Sequence, residues 1–178
     1  MVTRLWQGYS RLLKTYPLRT MAFTTGTIMT AGDCISQLAI ERKGLQQYDL
    51  KRSSRFLVLG FCFFGPMMRG WYLTLDKLYA GKKFAAIKMM ATDQLCMSPF
   101  FLSTFLTVMG LLKGETIQEI KNKFQKEFFP LLFTSYKVWP LAQLINFYVL
   151  PLQHRVLFVN CVALGWNTYL AWVTERKQ

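Results

Sequence analysis

The sequence predicts an all-α fold, namely a polytopic integral membrane helical bundle with four to five spanning helices plus amphipathic N-terminal and loop helices. Of the 178 residues, 52% are hydrophobic and 16% are aromatic, which exceeds what a soluble core of this length usually needs. Five long intervals carry at most one charged residue each. They are longer than barrel strands of ~10 residues and lack period-2 alternation, so helices are favoured over a β-barrel.

The five charge-poor intervals define the predicted spans, since ~20 mostly apolar residues suffice to cross the hydrocarbon core. They are residues 20–40 with only Asp33, 56–75 with only Arg69, 89–112 with only Asp93, 128–153 with only Lys137, and 156–173 with no charge. Little more than Pro151 and His154-Arg155 separates the last two intervals. These are either two spans joined by a tight turn or one span followed by a surface helix, which leaves the count at four or five.

Two further segments have amphipathic patterns outside these intervals. In the first, apolar residues occupy one helical face and basic residues the other, up to Pro17. Its apolar face comprises Leu5, Trp6, Tyr9, Leu12, Leu13 and Tyr16, and its basic residues are Arg4, Arg11 and Lys14. We expect a helix at the lipid headgroups, which is compatible with an uncleaved targeting segment. A similar apolar stripe, predicted to form a loop helix, consists of Ile117, Ile120, Phe124 and Phe128.

The charge balance points to an anionic partner. The chain has 22 Lys+Arg against 9 Asp+Glu, a formal net charge of +13, and most basic residues lie between the intervals. Anionic lipid headgroups account for these loops more simply than direct nucleic-acid binding, because the loops are short and contain no recognisable nucleic-acid module. Four Cys are too thinly spread for a disulfide scaffold. Length favours a single domain over residues 1–178.

Polar residues inside the intervals are the candidate functional residues, because ionisable groups at membrane depth are costly. They are Asp33, Gln37, Arg69, Asp93, Gln94, Lys137, Gln143 and Asn146. Either they line a hydrated path through the bundle, or they pair with one another between helices, since the two acids and two bases balance. A ridge of small residues, spaced four apart, is suited to close helix contact: Ala22, Gly26, Thr30 and Cys34.

Catalysis has little support in the sequence. His154 is the only histidine, and its position beside Arg155 suits a headgroup contact better than acid–base chemistry. Metalloprotease, serine-hydrolase, phosphate-loop and paired-cysteine motifs are missing from the sequence. The cysteines Cys34, Cys62, Cys96 and Cys161 fall in apolar intervals, where small-hydrophobe behaviour is the first expectation and redox sensing the alternative. We expect neither an enzyme nor a bound cofactor or metal.

The C-terminal third carries a long motif. From Trp139 the chain reads W-P-L-A-Q-L-I-N-F-Y-V-L-P-L-Q-H-R, and from Trp166 it reads W-N-T-Y-L. This strongly resembles the Mpv-seventeen and peroxisomal membrane protein family. Shorter matches are G-D-x-x-x-Q at 32–37, G-P then G-W-Y at 65–72, and D-Q then P at 93–99. The motif residues are Trp139, Pro140, Gln143, Asn146, Phe147, Pro151, Arg155, Trp166, Asn167 and Tyr169.

The resemblance covers nearly the whole chain, and E-R-K-G-L at 41–45 favours the mitochondrial inner-membrane branch. It implies a non-enzymatic, multi-pass protein, usually with four transmembrane helices. Family members are associated with channel-like conductance, membrane-potential control, deoxynucleotide supply, mitochondrial DNA maintenance and reactive-oxygen metabolism. We therefore expect a weakly selective channel or metabolite pore that admits small anionic metabolites such as nucleotides. The alternatives are a non-conducting structural or interaction protein, as a homo-oligomer or in a larger complex, and a peroxisomal family member.

Overall fold

The computed structural model describes residues 2–150 and 152–175, without the side chains of residues 2–6, 152–154, 156 and 157. Throughout these ranges the regular structure is helical and contains no strand, which confirms the all-α prediction. The motif residue Pro151 lies outside the described residues, and the side chain of His154 lies outside the described side chains.

Eight α-helices follow one another along the described residues. They are α1 (Val2–Thr15), α2 (Pro17–Ile35), α3 (Leu50–Val58), α4 (Gly65–Tyr79), α5 (Ala85–Thr92), α6 (Ser98–Lys113), α7 (Ile117–Val149) and α8 (Leu152–Glu175). Three π-helical segments, Ser36–Ile40, Leu59–Phe64 and Asp93–Met97, extend α2, join α3 to α4 and join α5 to α6.

Two continuous helices of the described chain are long and apolar enough to cross a membrane, Leu50–Tyr79 and Ala85–Lys113. They contain the second and third charge-poor intervals. The count of four to five spans stays a prediction. The last two intervals form two separate helices, because α7 ends at Val149 and α8 begins at Leu152.

Helix ends follow the local side-chain chemistry. Pro17 begins α2, where its missing N–H costs nothing. The Asp49 carboxylate accepts from the Arg52 backbone N–H at 2.8 Å and caps α3. Gly114 ends α6 with a φ of 80°, a left-handed conformation that glycine adopts without steric cost. Thr116 and Glu119 form a reciprocal capping box at the start of α7.

The predicted loop helix is not a separate element. The stripe from Ile117 to Phe128 is the first part of α7, which runs for 33 residues and contains Pro130 and Pro140. Each proline removes one backbone donor but leaves the following turns intact. The Thr134 hydroxyl donates to the Pro130 carbonyl at 2.9 Å, a bond to the carbonyl four residues earlier that threonine often makes within a helix.

The described helices group into two compact units, and the single domain over residues 1–178 stays a prediction. The first unit contains the chain up to Leu73 together with α8. Within it, α2 packs most extensively against α8 and also against α3 and the π segment Leu59–Phe64. The N-terminal helix α1 packs back on α2, and the Tyr9 hydroxyl lies 3.3 Å from the Thr24 hydroxyl.

The small-residue ridge of α2 makes close backbone contacts, as predicted. A Cβ atom on Gly60 would lie 2.7 Å from the Gly26 Cα atom, and a Cβ atom on Gly26 would lie 3.1 Å from the Leu57 carbonyl. One turn earlier on α2, Ala22 lies against Gly65. No side chain fits at Gly60 without a shift of backbone, so this ridge serves packing within the unit.

The second unit comprises Thr74–Leu150. In it, α7 packs against α6, α5 and the π segment Asp93–Met97. The apolar core lies along α6 and α7 and consists of Leu102, Phe105, Leu106, Met109, Ile120 and Leu131. This arrangement positions Asp93 and Gln94 opposite the inward face of α7.

Candidate functional site: two buried polar networks

The first network is centred on a buried ion pair between α2 and α3. Asp33 is 0% exposed and Arg52 is 2% exposed. The Arg52 Nε donates to the Asp33 Oδ1 at 2.5 Å, while its two Nη atoms donate to the Glu41 carboxylate at 3.0 and 2.8 Å. Because an isolated buried charge costs several kcal/mol, this pairing is what permits Asp33 to lie inside the helix bundle.

Amide and hydroxyl groups complete what we call the Asp33 network (Asp33, Gln37, Glu41, Arg52 and Ser53). Gln37 Nε2 and Ser53 Oγ donate to Asp33 Oδ2 at 2.9 and 2.6 Å. Arg52 Nη2 also donates to the backbone carbonyl of Ala171 on α8 at 3.3 Å. Every side-chain nitrogen and oxygen of Asp33, Gln37 and Arg52 thus has a partner. The network is saturated, and it connects three helices of the first unit.

Glu41 lies in the connection before α3, outside the helices. Burial raises the pKa of its carboxyl, but hydrogen bonds from Arg52, Lys43 and Ser36 outweigh burial and lower the pKa from 4.5 to about 2. Glu41 is therefore a carboxylate at any physiological pH. It stabilises the folded state by accepting the two Arg52 hydrogen bonds.

The second network lies in the second unit and joins the π segment Asp93–Met97 to α7. We call Asp93, Gln94, Gln143 and Asn146 the Asp93 network. Gln94 Nε2 and Gln143 Nε2 both donate to Asp93 Oδ2, at 2.8 and 3.0 Å, and Asn146 Nδ2 donates to Gln143 Oε1 at 3.0 Å. All four residues are buried, the most exposed being Gln94 at 6%.

The Asp93 network differs from the Asp33 network in having surplus acceptors. Among the described residues, no hydrogen bond reaches Gln94 Oε1 or Asn146 Oδ1, although both atoms are buried. A buried acceptor that lacks a donor costs about 1–3 kcal/mol. Two such oxygens lie at the ends of one network, and one of them, Gln94 Oε1, belongs to a π-helical turn of the kind often found at functional sites. These two features distinguish the cluster from the saturated Asp33 network.

Six of the eight predicted polar residues lie in these two networks. Asp33 and Gln37 belong to the first, whereas Asp93, Gln94, Gln143 and Asn146 belong to the second. Arg69 is half-buried on α4, Lys137 is exposed on α7, and neither joins a network. Asp33 bonds Gln37, one of the eight, but its cationic partner is Arg52 on α3 and not Arg69 or Lys137, the two bases inside the intervals.

Arg52, Glu41 and Ser53 were missed because all three lie between the charge-poor intervals, where polar residues were not treated as candidate functional residues. The signal that could have found Arg52 and Ser53 is the buried face of the helix from Leu50 to Tyr79. Phe56 and Leu59 are buried on that face, and the same face one turn earlier falls on Arg52 and Ser53. A continuous apolar stripe that ends on an arginine indicates a buried cation rather than a loop charge.

The remaining motif residues mostly serve packing. Phe147, Trp166 and Asn167 are buried, and a Cβ atom on Gly32 would lie 2.8 Å from the Asn167 Cβ, so α2 and α8 approach closely there. Tyr169 lies beside Trp166, with ring centroids 5.6 Å apart. Trp139, Pro140 and Arg155 are half-buried.

The remaining candidate groups are metal-ligating side chains and the cysteines. The part of the chain that the structure describes contains no group of three or more His, Cys, Asp or Glu side chains able to hold a metal ion. Cys62, Cys96 and Cys161 are exposed. Cys34 is half-buried, and its Sγ lies 2.7 Å from the Tyr48 hydroxyl.

Comparison with known proteins decides the family. The family model described as "Mpv17 / PMP22 family" matches residues 110–171. The "Mitochondrial inner membrane protein Mpv17" of Danio rerio is 41% identical over 173 residues, which are 97% of this chain and 98% of the relative. The chain belongs to the Mpv17 / PMP22 family. The Homo sapiens Mpv17 protein is also 41% identical with the same coverage, and the "Protein sym-1" of Neurospora crassa is 38% identical over 94% of this chain and 98% of the relative.

Family membership at this similarity locates the protein. It is a protein of the mitochondrial inner membrane, in agreement with the names of its Mpv17 relatives. These names favour the mitochondrial branch of the family over the peroxisomal one. No solved structure matches the chain.

Proposed function

We propose that the protein is a weakly selective channel or metabolite pore of the mitochondrial inner membrane. The observation that carries this proposal is the Asp93 network, in which a carboxylate and two unsatisfied amide oxygens lie inside an apolar helix bundle. Such groups are expensive at membrane depth, so their presence favours a role in moving or binding polar solutes. The number of spans, four or five, is part of the proposal.

The charge distribution suggests which solutes the pore would admit. With a net charge of +13 and basic residues concentrated between the apolar intervals, the mouths of a pore would attract anions. The solutes that such a positive potential would attract include small anionic metabolites such as nucleotides. Transport of this kind would contribute to membrane-potential control, deoxynucleotide supply, mitochondrial DNA maintenance and reactive-oxygen homeostasis. Chemistry on the solute is not part of the proposal.

Flux through liposomes tests this function. Purified protein in liposomes should release labelled nucleotides and small ions faster than protein-free liposomes do. Gln143→Leu removes the amide that bonds Asp93 and should change the flux ratio of nucleotide to small ion. Lys137→Ala, on the same helix but exposed and outside the network, is the matched control and should leave the ratio unchanged. Flux equal to that of empty liposomes would refute the proposal.

A second candidate function is that of a non-conducting structural protein, within a homo-oligomer or a larger complex. The saturated Asp33 network favours it, since every polar atom of its core is used to hold helices together. Under this proposal the basic loops would hold anionic lipid headgroups. The protein should then co-migrate with a complex on native gels. Migration as a single small species, together with solute flux, would count against it.

A further inference from the structure

The first unit carries its acidic residues at one end. All of them lie near Arg52, and they are Asp33, Glu41, Asp49 and Glu175. The opposite end of the unit is the turn between α1 and α2 at Pro17, which Lys14 and Arg19 flank. That end therefore has a positive charge that no acidic residue of the same unit balances.

Arg69 adds a half-buried cation to the same end. Gly65 on α4 meets Ala22 on α2, and the order of the glycine contacts shows that these helices run antiparallel. Arg69 comes four residues after this contact on α4, and Arg19 comes three residues before it on α2. Because residues three or four apart share a helix face, Arg69 lies level with Arg19 on the facing sides of the two helices.

Arg69 lacks a counter-charge within the described chain. It lies in the helix Leu50–Tyr79, which is long and apolar enough to cross a membrane. Among the described residues, no ion pair or side-chain hydrogen bond reaches its guanidinium. A cation inside a spanning helix is costly unless it is paired, and its long side chain extends toward the headgroups. The planar donors of a guanidinium match a phosphate group.

An apolar groove begins at this basic end and runs along α1 and α2. Its volume is about 540 Å³, within the range of ligand pockets, and its walls include Tyr9, Leu12, Tyr16, Phe23, Thr24 and Ile28. Arg19 also lines the groove, with its guanidinium 6.0 Å from the centre of the Tyr16 ring. Phe23 is 66% exposed, so the groove leaves hydrocarbon surface uncovered.

The hydroxyl groups along the groove are used inside the protein. Thr20 and Thr24 each donate to the backbone carbonyl four residues earlier, at 2.8 Å. Because Thr24 has used its single proton, the Tyr9 hydroxyl is the donor in their 3.3 Å contact. The groove therefore presents mainly rings and methyl groups, which suit a hydrocarbon chain better than a dissolved metabolite.

We infer that this groove binds one anionic phospholipid, with an acyl chain along α1 and α2 and the phosphate at Arg19 and Arg69. A basic rim beside an apolar groove matches the two chemical parts of such a molecule. The site is distinct from both polar networks, and its occupancy does not require that the protein conduct. The inference therefore stands apart from the proposed function.

Lipid titration of the delipidated full chain in detergent tests the site. Dioleoyl phosphatidylglycerol should bind about tenfold more tightly than dioleoyl phosphatidylcholine, because only the first has a net negative charge. It should raise the thermal unfolding midpoint by about 3 °C or more, and native mass spectrometry should show about one tightly held lipid per chain. Glycerol phosphate, which has the phosphate but no acyl chain, should leave the midpoint unchanged.

Variants separate this site from general charge effects. Arg69→Gln should abolish the preference for phosphatidylglycerol over phosphatidylcholine. Lys51→Gln removes the same charge at the acidic end of the unit and should keep that preference. Thr27→Trp places a large ring in the groove that Thr27 lines and should abolish tight phosphatidylglycerol binding, whereas Thr107→Trp, at an exposed position of α6, should not.

Equal affinity of the wild type for the two lipids would overturn the inference, and this comparison needs no variant to fold. So would an equal response to glycerol phosphate, which would indicate a site for free phosphate. An equal loss of preference in Arg69→Gln and Lys51→Gln would indicate general electrostatic attraction instead. Self-association that Thr27→Trp abolishes, without any effect of lipid, would assign the groove to a second copy of the chain and contradict lipid binding.

Discussion

Arg52 shows how one side chain determines what a neighbouring helix can bury. Its guanidinium bonds Asp33, Glu41, Ser36 and the Ala171 carbonyl, which is a use of the planar five-donor group that lysine could not reproduce. The Asp33 carboxylate has no contact with water, so its charge depends on this partner. The stability of the first unit therefore rests heavily on one pair.

Removal of Arg52 should be strongly destabilising. Arg52→Leu leaves Asp33 buried without its cation and should lower the free energy of unfolding by about 3–5 kcal/mol. Lys51→Leu, one residue earlier and exposed, should change it by less than about 0.5 kcal/mol. Chemical unfolding of both variants in detergent measures the difference. Equal midpoints for the two variants would contradict the role given to Arg52.

The pKa of Glu41 predicts an acid-dependent loss of stability. Because the pKa of Glu41 is lowered from 4.5 to about 2 in the folded state, its contribution to the free energy of unfolding is fully present above about pH 5. The contribution declines as the pH falls through the folded-state pKa. The glutamine of Glu41→Gln cannot titrate. The free energy of unfolding of this variant should therefore fall furthest below that of the wild type near pH 7, and the difference should shrink toward about pH 2–3. A difference in the free energy of unfolding that does not depend on pH would argue against the ion pairs of Glu41 with Arg52 and Lys43.

At the scale of helices, close packing without side chains explains why α2 has small residues on one face. Gly26 and Gly60 meet backbone to backbone, and Ala22 meets Gly65. Contacts of this kind allow dispersion forces and packing to hold helices where the hydrophobic effect is absent. The four-residue spacing on α2 made this ridge predictable, but its partner glycines had to be found in the structure.

Gly60→Ala should therefore separate the two helices. The added methyl group would lie 2.7 Å from the Gly26 Cα, a distance that forces the backbone to move, and overpacking of this kind costs about 1–3 kcal/mol. Gly165→Ala is the matched control, because its methyl group meets nothing within 4 Å. Thermal unfolding should show a lower midpoint for the first variant and an unchanged or higher one for the second. A drop of equal size in both would refute close packing as the cause.

Helix boundaries illustrate where sequence patterns stop being informative. Counting charges located the helices, because a long run of uncharged residues without period-2 alternation is typical of a helix and not of a strand. The same count separated the stripe at Ile117–Phe128 from the interval that follows it, although α7 continues through both. Lysines on an exposed face interrupt a charge-free interval without interrupting backbone hydrogen bonding. The ends of intervals are therefore weaker evidence than their centres.

For the molecule as a whole, the sequence predicted the membrane-protein class, the helical fold and six of the residues now seen in buried networks. The sequence could not predict how those residues divide between the Asp33 network and the Asp93 network. Asp33 and Asp93 look alike in sequence, each a lone acid in an apolar interval, but one is neutralised by an arginine and the other is held by amides. That difference depends on which helices are neighbours, which local patterns do not encode.

The division gives the two networks different roles. Asp33, Gln37 and Arg52 use all of their side-chain donors and acceptors to fix helices, whereas two buried acceptor oxygens of the Asp93 network receive no hydrogen bond among the described residues, which is the basis of the proposed channel role. Substitutions in the first should act on stability. Substitutions in the Asp93 network should change the flux or selectivity of solutes, even where they also change stability.

The reversal potential of the purified protein in planar bilayers, measured in a salt gradient, tests this account most directly. Asp93→Asn should shift the reversal potential, because it removes the only charge of the network assigned to the conducting path. Asp33→Asn should lower the unfolding midpoint yet leave the reversal potential of the folded protein unchanged. An unaltered reversal potential in Asp93→Asn, an equal shift in both variants, or no current above the empty bilayer would contradict the account.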